Sequence, residues 1–431
     1  MKSAKTLSAA VLLTAATLAL TSCSGQAATP EGDAKTENID LRMTVWSSNE
    51  AHLELFNSIA DDYMADHPEI SSITFDPLPF EDYTTTLTTQ IAGGQAPDIA
   101  WVLENSAPDF VSSGALAPLT ETLQATEGFE YDDLVPSATE LWQEDDTLYG
   151  YPFSTSPFGV FVNEDLLAQA GQPSSAALVD DGRWNWEDVS DVGAAVNAST
   201  GKAGFIVRDF DYQLWDSLST VWNGWDARPW SEDGKTCEFN SPEMVDAFTF
   251  LHEAAFEKNS MPGPGTTADF FAGDAAFTVT QISRASLLKD STMNWDLLPL
   301  PEGPAGEYAV VGQGGIGVLT QGKNVAASTD FLAFFANPEN SAALSAYFPP
   351  PRQSLLTTDT FAAANPMLTP EQIETVVIDG IATGTVRPSH EGQAEIAQQV
   401  RSGLDALWVP EADIAGVLDS VCGSLDPLLA G

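Results

Sequence analysis

A chain of 431 residues with 62 acidic and 16 basic side chains carries a formal charge of −46, and 43% of its residues are hydrophobic. That length predicts two or three domains, and the apolar share supports sizeable cores, so wholesale disorder is excluded. A field this negative repels phosphate backbones, which excludes nucleic-acid binding; a salty or acidic habitat or a simple solubility bias would equally produce the acidity, so it identifies no ligand.

Lys2 and Lys5 precede an apolar run over 7–20 that is too short and wrongly flanked for a permanent span, and residues 1–22 are expected to be a secretory signal peptide. The run ends in Leu20-Thr21-Ser22-Cys23, which resembles the bacterial lipoprotein box, so Cys23 is expected to be lipidated rather than an ordinary residue of a cleaved leader. Small polar residues over 23–38 suit a flexible tether. The expected location is the extracellular face of a bacterial cell membrane, with the membrane a partner through the lipid at Cys23. In that oxidising compartment Cys237 and Cys422 are expected to form a disulfide, contributing about 5 kcal/mol on the chain-entropy formula; two separate buried thiols are the alternative.

Residues 41–46 predict a first strand, 54–67 a helix, 71–78 a second strand, 83–92 a second helix and 98–103 a third strand. Strands alternating with helices imply parallel pairing under helical cover, an α/β layered domain. A second alternating region begins with strand 159–163 and helix 164–170, then continues through strand 204–208, helix 242–257, strand 275–280 and helix 328–336. Two α/β bodies place a ligand where strand ends converge, in the cleft between them. Local chemistry agrees: Gly93 and Gly94 can end a helix, Pro97 starts the extended run into Asp98, and Asn240 or Ser241 caps a helix with Pro242 at its first position.

An ordered series of short motifs says more than any one of them. It runs through Val45-Trp46-Ser47, His67-Pro68-Glu69-Ile70, Gly93-Gly94-Gln95-Ala96-Pro97-Asp98, Gly114-Ala115-Leu116-Ala117-Pro118-Leu119, Leu148-Tyr149-Gly150-Tyr151-Pro152-Phe153, Trp184-Asn185-Trp186-Glu187-Asp188, Phe239-Asn240-Ser241-Pro242-Glu243 and Phe271-Ala272-Gly273-Asp274. In this order, behind a lipoprotein box, the series resembles the extracellular solute-binding proteins of carbohydrate ABC importers, the maltose-binding-like group, from about residue 41 to the C-terminus. The resemblance implies a two-lobed periplasmic-binding-protein-like α/β fold of type II, each lobe a mainly parallel sheet flanked by helices, with a three-crossing hinge. Lobe 1 would hold 39–154 and 313–347, lobe 2 158–306 and 352–431, and the crossings 155–157, 307–312 and 348–351. It also implies a monomer that takes up a small carbohydrate, works with ABC permease subunits and uses no cofactor.

A sugar presents apolar ring faces bordered by hydroxyls, so its site needs aromatic platforms and planar polar side chains. Most of the 11 Trp, 8 Tyr and 22 Phe must be core. The candidate platforms are those at strand ends or in loops: Trp46, Trp101, Phe153, Trp215, Trp222, Trp225 and Trp230, of which the four within 215–230 form either a ligand platform or a satellite hydrophobic cluster. Candidate polar contacts are Asn49 and Glu50 after the first strand, Asp98, Asp211 in the Trp-rich segment, Gln281 and Arg284 after Thr280, Gln313 and Gly314 beyond the second crossing, and Arg352 at the third. Where many relatives carry Gly-Gly-Trp, this chain has Gly314-Gly315-Ile316, so one common stacking ring is missing.

Residues 312–317 satisfy G-x-G-x-x-G, but strand-like Val318-Leu319-Thr320 follows instead of a helix, which argues against a dinucleotide site. His52, His67, His252 and His390 show no metal-ligand spacing, no G-x-S-x-G elbow is present, and adjacent carboxylates such as Asp145-Asp146 are unremarkable among 62 acids. The expectation is a receptor with no catalytic residues and no metal. The alternatives are the same fold for a polyol or peptide, or a surface glycosidase or lyase.

Overall fold

A computed structural model describes residues 38–208 and 215–430; the signal peptide, Cys23 and Asp211 lie outside the described residues. The strands are β1 (Ile39–Val45), β2 (Ile70–Pro77), β3 (Ile99–Leu103), a short hairpin of β4 (Gln143–Glu144) and β5 (Thr147–Leu148), β6 (Gly150–Asn163), β7 (Ala203–Val207), β8 (Ala275–Gln281), β9 (Trp295–Leu298), β10 (Val310–Val318) and β11 (Thr385–Val386). Apart from the hairpin they join in the order β2-β1-β3-β10-β6-β8-β7, with β9 also on β6 and β11 also on β10. Pairing is parallel at both outer parts, β2-β1-β3 and β8-β7, and antiparallel for β3-β10, β10-β6, β6-β8 and β6-β9 in the middle, while β11 joins β10 in parallel.

The middle strands set the architecture. The 14 residues of β6 serve different partners in succession. Its first part, Gly150 to Pro157, pairs with β10, and its second, Phe158 to Asn163, pairs with β8 and β9. Only the second part reads as a strand in the sequence, because Pro152 and Pro157 interrupt the pattern of the first. The register slips between Gly314 and Ile316, opposite Pro152 and Phe153, an irregularity that accommodates a residue with no N–H.

Buried side chains divide accordingly, and the fold is two-lobed. One cluster gathers residues between Leu41 and Phe153 with those between Ile316 and Phe348. Two others gather residues between Phe158 and Val310 with those between Phe361 and Leu429. In the first, β3 is buried along nearly its whole length, as a parallel strand covered on both faces must be.

Helix ends follow local chemistry. The helix Glu50–Asp66 begins four residues before its predicted start because Asn49 caps it, its side chain accepting the Ala51 N–H at 2.9 Å. Ser241 caps the helix Pro242–Phe256 by accepting the Met244 N–H at 3.2 Å. The C-terminal helices Gln393–Leu404 and Ile414–Leu429, which the sequence reading leaves unassigned, pack on each other and complete the second lobe's largest core.

Cys237 and Cys422 form a disulfide with Cα atoms 5.2 Å apart and a sequence separation of 185, tying the last helix to the loop that follows the Trp-rich segment. Replacing both by Ser is expected to lower unfolding free energy by up to about 5 kcal/mol, the loop-entropy limit for so long a loop. Denaturant unfolding of the double variant checks this, and the variant should be insensitive to the reductant that weakens the parent.

Candidate functional site

The parallel strands β1, β2 and β3 deliver their carboxyl ends to one edge of the first lobe, the place where α/β sheets hold ligands. Trp46 follows β1 there, half-buried, with its ring 4.6 Å from Trp101, 5.9 Å from Phe153 and 6.2 Å from the exposed Phe80. This approach of rings to β10 needs a glycine: a β-carbon on Gly314 would lie 2.8 Å from Trp46 and 3.2 Å from Phe153. Leu103, the last residue of β3, pairs with Gly314, so the next residue, Glu104, arrives beside the same stretch of β10.

Glu104 is buried and accepts a hydrogen bond from the backbone N–H of Gln313. Its other oxygen pairs with the guanidinium of Arg387, which comes from the segment after β11. Arg387 also reaches the Asp216 carboxylate at 3.1 Å and the Ser217 hydroxyl at 3.2 Å, and lies 5.7 Å from the Phe158 ring. A second link joins the same parts of the chain, the Gly392 N–H donating to the Asp109 carboxylate at 2.7 Å. Glu104 and Asp109 stand on the side of the first lobe's core, whereas Asp216, Phe158, Arg387 and Gly392 stand on the other side, so these contacts cross the seam between the lobes. Burial pushes Asp216 up to about 6, opposed by the charges of Arg208 and Arg401, and pushes Arg387 down to about 10. The Arg387 Nε and the indole N–H of Trp101 have no hydrogen-bond partner among the described residues.

Of the residues expected to contact a ligand, the structure brings Trp46 and Gly314 together at this edge, whereas Phe153 is corrected: it is buried in the core, stacked on Trp101 at 4.5 Å, and backs Trp46 from below. Gln281, half-buried, lies just across β10, where a β-carbon on Gly312 would be 2.7 Å from its amide nitrogen. Gln313 contributes its backbone, while its side chain turns inward, accepting the Trp142 indole N–H at 3.0 Å and donating to the Ala138 carbonyl at 3.1 Å.

Other expectations are corrected. Asn49 is a helix cap and Glu50 lies exposed in that helix's first turn. Asp98 sits at the amino end of β3, the opposite edge from Trp46, and accepts backbone N–H groups of Arg42 at 3.0 Å, Lys323 at 3.0 Å and Asn324 at 3.2 Å. Trp101 is fully buried beneath Trp46. Trp215 and Trp222 stack at 6.1 Å inside the second core against Phe239, and Trp225 packs on Phe250 at 5.1 Å, so the dense run of rings is a hydrophobic cluster. Trp230 turns its ring to His390, 5.3 Å away. Arg284 lies over the Phe271 ring at 5.0 Å. Arg352 is buried in the first lobe, donating to the carbonyls of Ala336 at 2.6 Å and Glu130 at 3.2 Å, with Asp133 at 3.5 Å and the Phe129 ring at 4.7 Å. Ile316, where a stacking ring is missing, is core.

Glu104, Asp216, Ser217 and Arg387 were not anticipated. Glu104 had a signal, being the first polar residue after the apolar run of a parallel strand. Arg387 had none, because only the tertiary fold brings residue 387 to the end of β3.

A two-lobed α/β protein with rings and charged groups at facing strand ends is a binding protein in its architecture. Residues 58–369 match the family of bacterial extracellular solute-binding proteins, and the chain belongs to that family. A protein of Brucella abortus (strain 2308) named as a binding protein is 22% identical over 294 residues; the match covers 63% of this chain and 66% of that one, just under two thirds of its length. Solved structures share the fold, two among them at high coverage. The cyclic alpha-maltosyl-1,6-maltose binding protein of Arthrobacter globiformis has a TM-score of 0.76 at 18% identity, covering 91% of this chain and 99% of that one. An ABC substrate-binding protein of Listeria monocytogenes in complex with cycloalternan has a TM-score of 0.77 at 20% identity, covering 91% and 98%. Among the described residues no helix is long and apolar enough to cross a membrane.

Two predictions follow from the polar contacts. Since Asp216 holds its proton more tightly folded than unfolded, its contribution is present below the ordinary carboxylate range near pH 4 and is lost as pH rises through about 6. The parent should therefore lose up to about 3 kcal/mol relative to Asp216→Asn between those pH values, as read by paired denaturation curves. Asp98→Ala, which leaves three backbone N–H groups without their acceptor, should cost roughly 3 kcal/mol in the same assay.

Proposed function

We propose that this chain is a lipid-anchored extracellular substrate-binding protein that captures a sugar or oligosaccharide between its lobes and delivers it unaltered to the permease of an ABC importer. The observation that carries this reading is the placing of the half-buried Trp46 ring and the exposed Phe80 ring at the edge of one lobe, beside the Glu104–Arg387 ion pair across the seam. Flat rings cover the C–H faces of a sugar. A hydroxyl both donates and accepts, so sugar hydroxyls can enter between a carboxylate and a guanidinium without leaving either charge uncompensated. A singly charged solute would satisfy one member and strand the other. The unpartnered Arg387 Nε supplies a further donor at the seam.

The separation of the buried clusters supports a lobe 1 of 39–154 and 313–347 and a lobe 2 of 158–306 and 352–431, crossing at 155–157, 307–312 and 348–351, except that Arg352 to Ser354 at the third boundary bond to lobe 1. Closure is then a hinge motion that the ligand favours by binding the closed form better. The maltosyl and cycloalternan ligands named for the two structural neighbours support the sugar class. The lipoprotein box supports anchoring through Cys23, with the permease subunits as the membrane partners.

A thermal-shift screen against neutral oligosaccharides, polyols and peptides, with chromatography of the recovered ligand, tests the reading. A raised melting temperature with an intact glycan is expected. Trp46→Ala and Glu104→Gln should each weaken binding at least about tenfold, some 1.4 kcal/mol, and both should still melt cooperatively. Cleavage products would make the protein a glycosidase or lyase, and a response confined to polyols or peptides would reassign the ligand.

A further inference from the structure

The two middle strands carry different chemistry on their two faces. Along β6 and β10, Ser154 stands opposite Gly314, Thr155 opposite Gln313 and Ser156 opposite Gly312. Directly opposed residues of an antiparallel pair point to the same face, and neighbours along a strand alternate. Thr155 and Gln313 therefore share one face, and Ser154, Ser156, Gly312 and Gly314 share the other. The first face is satisfied internally, because the Gln313 amide bonds to the Trp142 indole, to the Ala138 carbonyl and, at 3.5 Å, to the Thr155 hydroxyl.

The second face is left unmet. Ser156 is 6% exposed, and its hydroxyl has no hydrogen-bond partner among the described residues. Gln281 pairs with Phe158 on the same face and lays its amide over Gly312, 2.7 Å from the place of the absent β-carbon; that amide makes no hydrogen bond among the described residues. Arg387 lies 5.7 Å from the same Phe158 ring and keeps its Nε unpaired. At the other end of the row, Trp46 comes in over Gly314. The guanidinium charge is already compensated by Glu104 and Asp216, so the unmet groups call for neutral hydrogen-bonding partners rather than for an ion. Buried groups of this kind are rarely left unmet, and a hydroxyl or amide both donates and accepts, which matches them to sugar hydroxyls.

We propose that Ser156 and Gln281, together with the Arg387 Nε, are the specificity-determining groups of the seam: they take adjacent free hydroxyls of one sugar unit whose ring face lies against Trp46. Gly312 and Gly314 keep the floor beneath that unit clear of side chains. The inference rests on the reading of the seam as a sugar site and adds a division of labour to it. Trp46 holds any pyranose face, whereas the floor distinguishes one setting of the hydroxyls from another.

Calorimetric titration of the full chain with sugars that differ in the setting of single hydroxyls is the test. The probes are glucose, galactose and mannose, free and as the terminal unit of maltose, cellobiose, lactose and mannobiose. The parent is expected to prefer one epimer. Gln281→Leu should weaken the preferred probe at least about tenfold and shrink the preference several-fold, and Ser156→Ala should act in the same direction with smaller size. Trp46→Ala should weaken all epimers in equal proportion and leave the preference intact. An unchanged preference in both floor variants, no preference in the parent, or a loss of preference in Trp46→Ala as large as in Gln281→Leu would overturn the proposal while leaving sugar binding in place. Binding of none of the probes would remove the sugar reading and this proposal with it. Melting curves of each variant separate a lost contact from a lost fold, and Gln281, only half-buried, keeps the test decisive where Ser156→Ala destabilises.

Discussion

A buried carboxylate shared by donors from both lobes sets the geometry of the seam. Glu104 accepts from the Gln313 backbone within its own lobe and from Arg387 across the seam. Taking such a charge out of water costs several kcal/mol, so Glu104 is tolerated at this depth only while its partners are in place. On the proposed hinge motion each half would keep part of its compensation: Gln313 would stay with Glu104, and Asp216 and Ser217 with Arg387. Neither lobe would carry an unaccompanied buried charge when the two part. Such an arrangement would keep open and closed forms within the few kcal/mol that a ligand's differential affinity can overcome.

Glycine in β10 lets the aromatic groups approach this seam. Trp46 and Phe153 come in over one face at Gly314, and Trp142 occupies the other face at Gly315, where any β-carbon would collide with its ring. The strand that meets a dinucleotide pattern is thus glycine-rich because rings crowd both of its faces, and its pairing with β3 and β6 leaves its backbone committed to the sheet. The same crowding accounts for Ile316: on the buried side, opposite Trp101 and Tyr151, it belongs to the core.

How far the sequence could be read depended on whether the determining contacts were local. The helix Tyr83–Ala92 and the strands around it were legible because apolar spacing and turn residues act over a few positions. Ser241 was legible as a cap for the same reason. The start of the helix at Glu50 was misjudged because an Asn followed by an acid after a strand is equally a cap and a polar ligand contact; the Ala51 N–H decides between them. Asp98 and Arg352 were misassigned because their partners lie 225 and 222 residues away in sequence. The Trp-rich segment announced that rings were needed there, but composition cannot tell a platform from a cluster; Phe239 and Phe248, supplied by a later helix and its approach, make it a cluster.

The charge balance acquires a structural meaning at this point. With 16 basic side chains in the chain, placing Arg352 in one lobe's interior and Arg387 at the seam commits scarce cations to internal compensation rather than to the surface. The exterior is left strongly anionic; among the described long helices only Gln393–Leu404 has a basic residue, Arg401, in its own last turn, and Val325–Phe335 is capped from elsewhere by Arg352 at the Ala336 carbonyl. An anionic solute approaching the cleft would meet a repulsive field before reaching Arg387, whereas a neutral polyol would meet none. Scarcity of positive charge therefore acts twice, by reserving the seam's guanidinium for its two carboxylates and by disfavouring the solutes that would compete for it.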